Sequence, residues 1–377
     1  MTLTVWLGAD VTTYPQGGGQ WWAYLSWALG LRALGCRVVW LEPCKADASE
    51  EEARVLVEGL QAQLEPYGLA EWIAFAPTSG EPAWPAAWEG CVPLEAAAEA
   101  DLFLNVSYLE HAPILPLFPR TAMLDFDPGL LQMWIDEGSV ELPRYDVYFT
   151  TGETVGQPGT RYSGGGLPWQ YAPECVALDW WPVCAPPEDA PFTTVSGWDT
   201  DDWYYDGTTW LSNSKRDGFL PYLDLPQHTS QRLELALRFW DHKDEERLEL
   251  ERRGWSVVHA YDVSSTPADY QRYVQSSRGE FSCAKPSCAG LANAWVSDRS
   301  LAYLASGRPA VVEYTGPSRI LPDAEGLFRF RTIEEAARHL ETAAADYEHH
   351  GRLGRALVEE HFDAKKVLGS VLERALP

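Results

Sequence analysis

What the chain lacks narrows its reading first. Its seven cysteines (Cys36, Cys44, Cys91, Cys175, Cys184, Cys283, Cys288) are odd in number and contain no CxxC pair. Neither a zinc framework nor a disulfide framework is indicated, and reduced thiols in a cytoplasmic protein are expected. Positive charge is scarce: 29 Lys and Arg stand against 55 Asp and Glu, a net charge of −26. That balance repels phosphate backbones and anionic lipid surfaces, so neither nucleic acid nor a membrane is an expected partner. No run reaches the roughly 18 apolar residues of a membrane span, and the start "MTLTVWLGAD" carries no basic leader region. The GxGxxG spacing is missing too, which removes support for a nicotinamide or flavin cofactor. No cofactor and no bound metal are expected.

What is present reads as α/β. With 377 residues, 46% of them hydrophobic, the chain has room for two globular domains. "LTVWLGA" reads as a strand, "WWAYLSWALGLRALG" as an amphipathic helix and "CRVVWLEP" as a second strand. With a Gly-rich turn after the first strand, this is the βαβ entry to a doubly wound sheet. "EEARVLVEGLQAQL" reads as a helix, and "DLFLNVS", "RTAMLDF" and "YDVYFTTG" as further parallel strands. Over 172–191 periodicity gives way to "APECVALDWWPVCAPPEDAP", a Pro-rich linker composition. Two Rossmann-like domains are expected, 1–180 and 181–377, facing each other across a cleft of the kind where small-molecule sites lie.

The second half continues the pattern. "FTTVSGW" reads as a strand, "SQRLELALRFWDHKDEERLELERRG" as a long charged helix and "WSVVHAY" as a strand, with "TPADYQRYVQSS" a helix and "GEFSCAK" a short strand. "SDRSLAYLASGRPAVVEYTG" gives a helix that stops at Gly307, a proline that prevents its resumption, and a buried strand "AVVEY". A further strand and two helices follow over 326–362, with Thr332 and Glu335 spaced as a possible capping box. His349 and His350 have no ligand spacing and read as a solvated helix face.

Several residues are candidates for chemistry. The loop "YPQGGGQWW" precedes the first helix, and Gly18, Gly19 and Gln20 would let a ligand approach the backbone there; a plain tight turn fits equally. Asp10 ends the first strand. In "LDFDPG" Asp125 and Asp127 stand two residues apart at a strand end, one of them expected to face the cleft, and Asp127 also fits as the cap of a helix starting at Pro128. In "GWDTDDWYYDGTTWLSNSK", Trp198, Trp203, Tyr204, Tyr205 and Trp210 alternate with carboxylates. That mixture suits a polyhydroxylated ring, although an ordinary aromatic hairpin explains it as well. Lys215, Lys285, Arg299 and Arg319 are the cations nearest the expected strand ends of the second half, and a few cations on one cleft face would hold a diphosphate. Singly, each also fits a surface charge.

The stretch "SLAYLASGRPAVVEYTGPSRILPDAEGLFRFRTIEEAARHL" resembles the C-terminal domain of GT-B glycosyltransferases. It has that family's helix, Ala-Ser-Gly-x-Pro, buried strand, phosphate-contacting Gly loop, "GL" strand and acid-opened helix. "GGGQ" and "GLRALGCRVVWLE" resemble the start of the family's N-terminal domain. The resemblance implies transfer of a sugar from a nucleotide-sugar, a UDP-sugar before others, to a small-molecule or glycan acceptor without metal. It implies a donor domain at 181–377, an acceptor domain at 1–180, and a monomer or homodimer. Lys215, Lys285, Arg299, Thr315, Gly316 and Ser318 would then contact the diphosphate, Asp298 would assist, and Glu325 would meet the ribose. Gly18, Gly19, Gln20, Trp198 and Trp203 would serve the acceptor and sugar. Two departures stand out. The paired glutamates of many retaining members are Ala294 and Ala302 here, and Gln20 replaces a histidine. Asp199-Thr-Asp201 spells DxD, a metal–diphosphate motif of another glycosyltransferase class. The proton acceptor for an inverting reaction would be Asp10, or second Asp127, whose nearby helix N-terminus makes it a weaker base; His111 has no evident orienting partner, and a retaining mechanism needs none. A nucleotide-sugar epimerase or hydrolase of the same fold and a non-catalytic carbohydrate-binding protein are the alternative readings.

Overall fold

Short apolar strands flanked by Gly and Asp build the first sheet. They are β1 (Thr4–Gly8), β2 (Arg37–Cys44), β3 (Ile73–Pro77), β4 (Leu102–Asn105), β5 (Thr121–Asp125), β6 (Val147–Thr150) and β7 (Trp169–Tyr171). The structure, a computed structural model, describes residues 2–78, 88, 90–107, 112–160, 162–200, 202–239 and 244–377. His111 and Asp201 lie outside the described residues. The seven strands are all parallel, in the order β3-β2-β1-β4-β5-β6-β7. Side-chain alternation sorts β1 between two cores. Val5 and Leu7 join one apolar cluster, and Trp6 joins another with Phe103 and Met123.

The second sheet repeats the design. Its strands are β8 (Phe192–Gly197), β11 (Leu233–Arg238), β12 (Ser256–His259), β13 (Gly279–Ser282), β14 (Ala310–Glu313), β15 (Ala324–Glu325) and β16 (Leu327–Phe330), while β9 (Trp203–Tyr205) and β10 (Trp210–Ser212) form a separate antiparallel hairpin. The order is β12-β11-β8-β13-β14-β16-β15, with six parallel strands and β15 antiparallel at the edge. In chain sequence both sheets therefore run 3-2-1-4-5-6, the doubly wound order. Each has a topological switch beside its first strand, where ligands bind in such sheets.

Helices cover both faces. In the first half they are α1 (Gly18–Ala33), α2 (Glu50–Leu64) and α3 (Leu130–Asp136). In the second they are α4 (Lys215–Phe219), α5 (Asp244–Arg252), α6 (Ala260–Ser264), α7 (Pro267–Ser276), α8 (Pro286–Leu291), α9 (Asp298–Ala305), α10 (Ile333–Ala345), α11 (Tyr347–His361) and α12 (Ala364–Ala375). Helix α9 ends as expected, with Gly307 at φ 75° before Pro309. The capping box at Thr332 is half formed: its hydroxyl accepts from the Glu335 amide, while the Glu335 carboxylate accepts from Arg331 N–H.

Three expectations need correction. The long charged helix is two elements, because Leu233, Leu235 and Leu237 alternate into the core of a central strand before α5 begins. Its Leu, Glu, Ala and Arg favour helix locally, and pairing with β8 and β12 overrides that preference. His350 is buried against the Phe328 ring rather than solvated. Helix α12, a third helix after α11 whose start is capped by the Asp363 carboxylate accepting from the Lys365 amide, crosses back and packs on α1 of the first half, with Leu368 against Gly30. Leu368 is fully buried, so Leu368→Ala should cost about 2–4 kcal/mol in denaturant unfolding. A loss below about 1 kcal/mol would show that α12 is not docked in solution.

Candidate functional site

At the switch of the first sheet, the chain leaving β1 and the chain leaving β4 diverge and open a cavity of about 480 Å³. Asp10, Gln20, Tyr24, Ser107, Asp127 and Trp134 line it. Asp10 and Asp127, read separately from sequence, thus share one cavity. The Asp10 carboxylate accepts from the Thr13 hydroxyl at 2.6 Å, and the Gln20 amide donates to the Asp10 carbonyl at 2.9 Å. Asp127 caps no helix: α3 starts at Leu130, and its cap position is Gly129, whose φ is 89°. The Asp127 amide instead donates to the buried Asp125 carboxylate, which also accepts from Gln132 and Thr150. Burial pushes Asp125 up to about 7. Glu42, below the Asp10 loop, is fully buried and also pushed up to about 7 by burial, while accepting from Val11, Thr12 and Trp40.

The switch of the second sheet holds a smaller cavity of about 30 Å³, space for little more than a water. Lys215, Trp295, Arg299, Glu313, Thr315 and Arg329 are among its walls. The sequence pointed to Lys215, Arg299 and Thr315; Glu313 and Arg329 went unnoticed, since neither stands in a recognisable motif. Lys215 donates to the Cys283 carbonyl, and burial, then the Arg299 charge, pulls its ammonium down to about 8. Arg299 is not a free cation. Its guanidinium pairs with the fully buried Glu280 at 2.7 Å and donates to Ser282 Oγ at 2.6 Å and the Val195 carbonyl at 3.1 Å. It ties α9 to β8 and β13. Arg329 likewise spans the next loop, donating to the carbonyls of Gly316, Leu321 and Pro322.

Other expected donor residues fall elsewhere. Gly316, with φ 132°, packs against the Ala292–Ala294 backbone. Lys285 is the cap residue of the short α8. Asp298 opens α9 and accepts from the Ser297 hydroxyl, and burial raises its pKa. Glu325 is misplaced for a ribose: β15 pairs it with Leu327, at the amino end of β16 and away from the switch.

The two halves meet through their strand-end loops, and here the Gly-rich motif takes a different role. A Cβ at Gly18 would overlap the carbonyl oxygens of Ser264 and Thr266, and one at Gly19 would lie 2.9 Å from the Tyr270 ring. Both glycines pack against the second half, which leaves no space for a ligand. In the same loop, Tyr14 lies under the Arg238 guanidinium at 4.7 Å. Across the cleft Glu153, which follows β6, accepts from the Ser318 hydroxyl and from the Arg319 amide and guanidinium, the last two at 2.9 Å. Ser318 and Arg319 therefore bind a carboxylate of the first half. The acid in "TTGET", just past a strand end, was the available signal for Glu153. A third buried acid, Glu174, accepts from the Trp27 indole and is pushed up to about 8 by burial and then by Asp298.

The aromatic segment divides sharply. Trp198 is buried against Phe219 and Phe239, with its indole N–H on Glu246, so it cannot stack on a sugar. Trp203 stands exposed on the hairpin, which does form. Among the described residues, no group of three or more His, Cys, Asp and Glu is placed to hold a metal ion, and no helix is long and apolar enough to cross a membrane.

Gly18→Ala should destabilise the protein by about 2 kcal/mol or more, because the added methyl meets backbone that has nowhere to move; a change within about 0.5 kcal/mol would show that the joint is loose. A pH dependence follows from the buried acids. Glu42, Asp125 and Glu174 hold protons in the folded state up to about 7, 7 and 8, whereas an unfolded chain releases them near the usual value of about 4. The unfolded state thus binds fewer protons in this window, and stability falls as pH rises through it. The melting temperature should be higher at pH 5.5 than at pH 8, and Asp125→Asn should flatten that slope. An increase toward pH 8 would contradict the protonation assigned to these acids.

No protein-family model matches the chain, and no curated protein sequence matches it. Solved structures do. A glycosyltransferase from Rickettsia africae superposes with a TM-score of 0.57 at 10% identity, covering 99% of this chain and 98% of the other. The Anabaena protein HepE in complex with UDP-glucose gives 0.60 at 11% identity, with 99% of each chain covered. AviGT4, a glycosyltransferase involved in avilamycin A biosynthesis, gives 0.57 at 16% identity, covering 99% of this chain and 97% of the other. The chain has the fold of these proteins: two Rossmann-like halves facing each other across a cleft, the GT-B architecture expected from its sequence.

Proposed function

We propose that the protein transfers a sugar from a nucleoside-diphosphate donor, held at the switch of the second sheet, to an acceptor hydroxyl held at the switch of the first, without a metal ion. One observation carries the reading: two sheets of the same order turn their switch points toward one cleft, the first bearing Asp10 and Asp127 and the second bearing Lys215 beside the ion-paired Arg299 and Arg329. In a chain of net charge −26, Arg299 pairs with Glu280 and Arg329 with Asp323, so Lys215 is the cation of this wall that a diphosphate would meet. The neighbour HepE was crystallised with UDP-glucose, which favours a UDP-sugar as donor. Residues 1–180 are assigned to the acceptor and 181–377 to the donor. The charge balance favours an acceptor that is not a nucleic acid.

The chemistry follows from the residues. The bond from the anomeric carbon to the diphosphate breaks as the acceptor oxygen bonds to that carbon, and negative charge develops on the leaving group. Lys215 and the amides at the start of α9 stabilise that charge. Arg299 holds the wall in shape, so its replacement would strand Glu280 and test folding rather than binding. The cavity of about 30 Å³ is walled wholly by residues 215–329, so a nucleotide enters only when those walls move apart. Asp10 takes the acceptor proton in an inverting reaction, with Asp127 next in rank. Cleft closure then aligns the two substrates.

A thermal-shift screen of nucleoside diphosphates and their sugars should give its largest stabilisation with UDP or a UDP-sugar. No stabilisation by any of them would refute the reading, and turnover of donor without acceptor would identify a hydrolase or epimerase. Lys215→Ala should weaken UDP roughly ten- to a hundredfold, the scale of a charge-assisted hydrogen bond. With its ammonium down at about 8, UDP affinity should hold below that pH and fall as pH rises through it. Asp10→Asn should lower turnover at saturating donor by about a hundredfold or more; a wild-type rate passes the same test to Asp127.

A further inference from the structure

We propose that the hairpin β9–β10 is an outer saccharide subsite, so that the acceptor is a neutral di- or oligosaccharide whose chain runs from the first cavity onto the hairpin. The proposal rests on the acceptor-side reading above and adds the class of substrate. The register pairs Tyr205 with Trp210 and Trp203 with Ser212, which puts Trp203, Tyr205 and Trp210 on one face of the ribbon. They are 52%, 44% and 63% exposed, and among the described residues these are the two exposed tryptophans and the one large exposed tyrosine. The Tyr205 and Trp210 rings lie 5.4 Å apart, and Trp203 follows along the strand at ~7 Å. That is a platform one to two sugar rings long.

The opposite face fixes where this platform sits. Tyr204 and Leu211 point inward, and the Tyr204 ring lies 5.5 Å from Trp134, which lines the acceptor cavity. The hairpin belongs to the second half, yet its root is anchored on the rim of the first half's cavity. The exposed Asp202 and Thr209 flank the rings and can meet hydroxyl groups, while the Asp206 carboxylate is taken by the turn amides of Thr208 and Thr209 and by the Thr208 hydroxyl. A sugar ring offers both surfaces such a site needs, C–H faces for the aromatics and hydroxyls for the flanks.

Other occupants fit less well. Three side chains cover far less than the roughly 800 Å² per partner of a stable protein interface. A second copy of the chain would bring another −26 of charge against an acidic ribbon. Nucleic acids and anionic lipids are repelled in the same way.

Native gel electrophoresis through dextran, laminarin and glucomannan tests this, with plain gel as reference. At least one of the three should retard the wild-type protein. The double variant Trp203→Ala, Trp210→Ala should lose that retardation, a weakening of about tenfold or more. The ring-keeping variant Trp203→Phe, Trp210→Tyr should keep most of it. All three proteins should melt alike and show the same thermal shift with UDP. No retardation by any of the three polysaccharides, or equal retardation of the double variant, overturns the proposal, as does capture of a protein partner through this face without glycan binding. Absence of a UDP shift in the wild type counts instead against the donor reading, so the two failures are distinguishable.

Discussion

The spacing between the two sheets depends on a helix that starts without side chains. At Gly18 and Gly19 the amino end of α1 lies directly on the backbone of 264–266 and on Tyr270. Any Cβ at Gly18 would force the halves apart at this joint. Helix α1 also carries α12 on its flank, so the last helix of the chain packs into the first half's core. The two switch points then face each other across one cleft.

Within that frame the second sheet's wall is built from a buried ion pair. Glu280 is fully buried on β13, and Arg299 satisfies it while reaching β8 and the start of α9. Removing either partner would leave a charge without compensation in a dry interior. Lys215 lies beside this pair with its ammonium weakened by burial and by the Arg299 charge. It is the cation whose state a bound diphosphate would change most. Across the cleft, Glu153 holds Ser318 and Arg319 with the kind of contacts that an anionic ligand would make there: a hydroxyl, an amide and a guanidinium.

Much of the fold was legible because its signals are local. The strand–Gly–helix opening and the stop at Gly307 depend on neighbouring residues. Strand β11 was not, since Leu-Glu-Leu-Ala-Leu-Arg favours helix until β8 and β12 pair with it. Helix α12 was missed because its partner is α1, more than 300 residues away in sequence. The site was legible by position and less so by role. Asp10, Asp127, Gln20, Lys215, Arg299 and Thr315 do line the two cavities. Gly18, Gly19, Trp198 and Glu325 are explained by packing or by the wrong sheet end, and a one-dimensional pattern cannot tell a glycine that admits a ligand from one that admits another backbone. Glu153 illustrates the reverse, since its function depends on a loop 165 residues further on.

Amide hydrogen exchange with and without saturating UDP tests the central claim most directly, because it reports which cavity the nucleotide occupies. The account predicts slowed exchange in 282–300 and 312–321, around Lys215 and the start of α9, with α2 in the first half unchanged. Protection confined to the first half, or none at all, would contradict it.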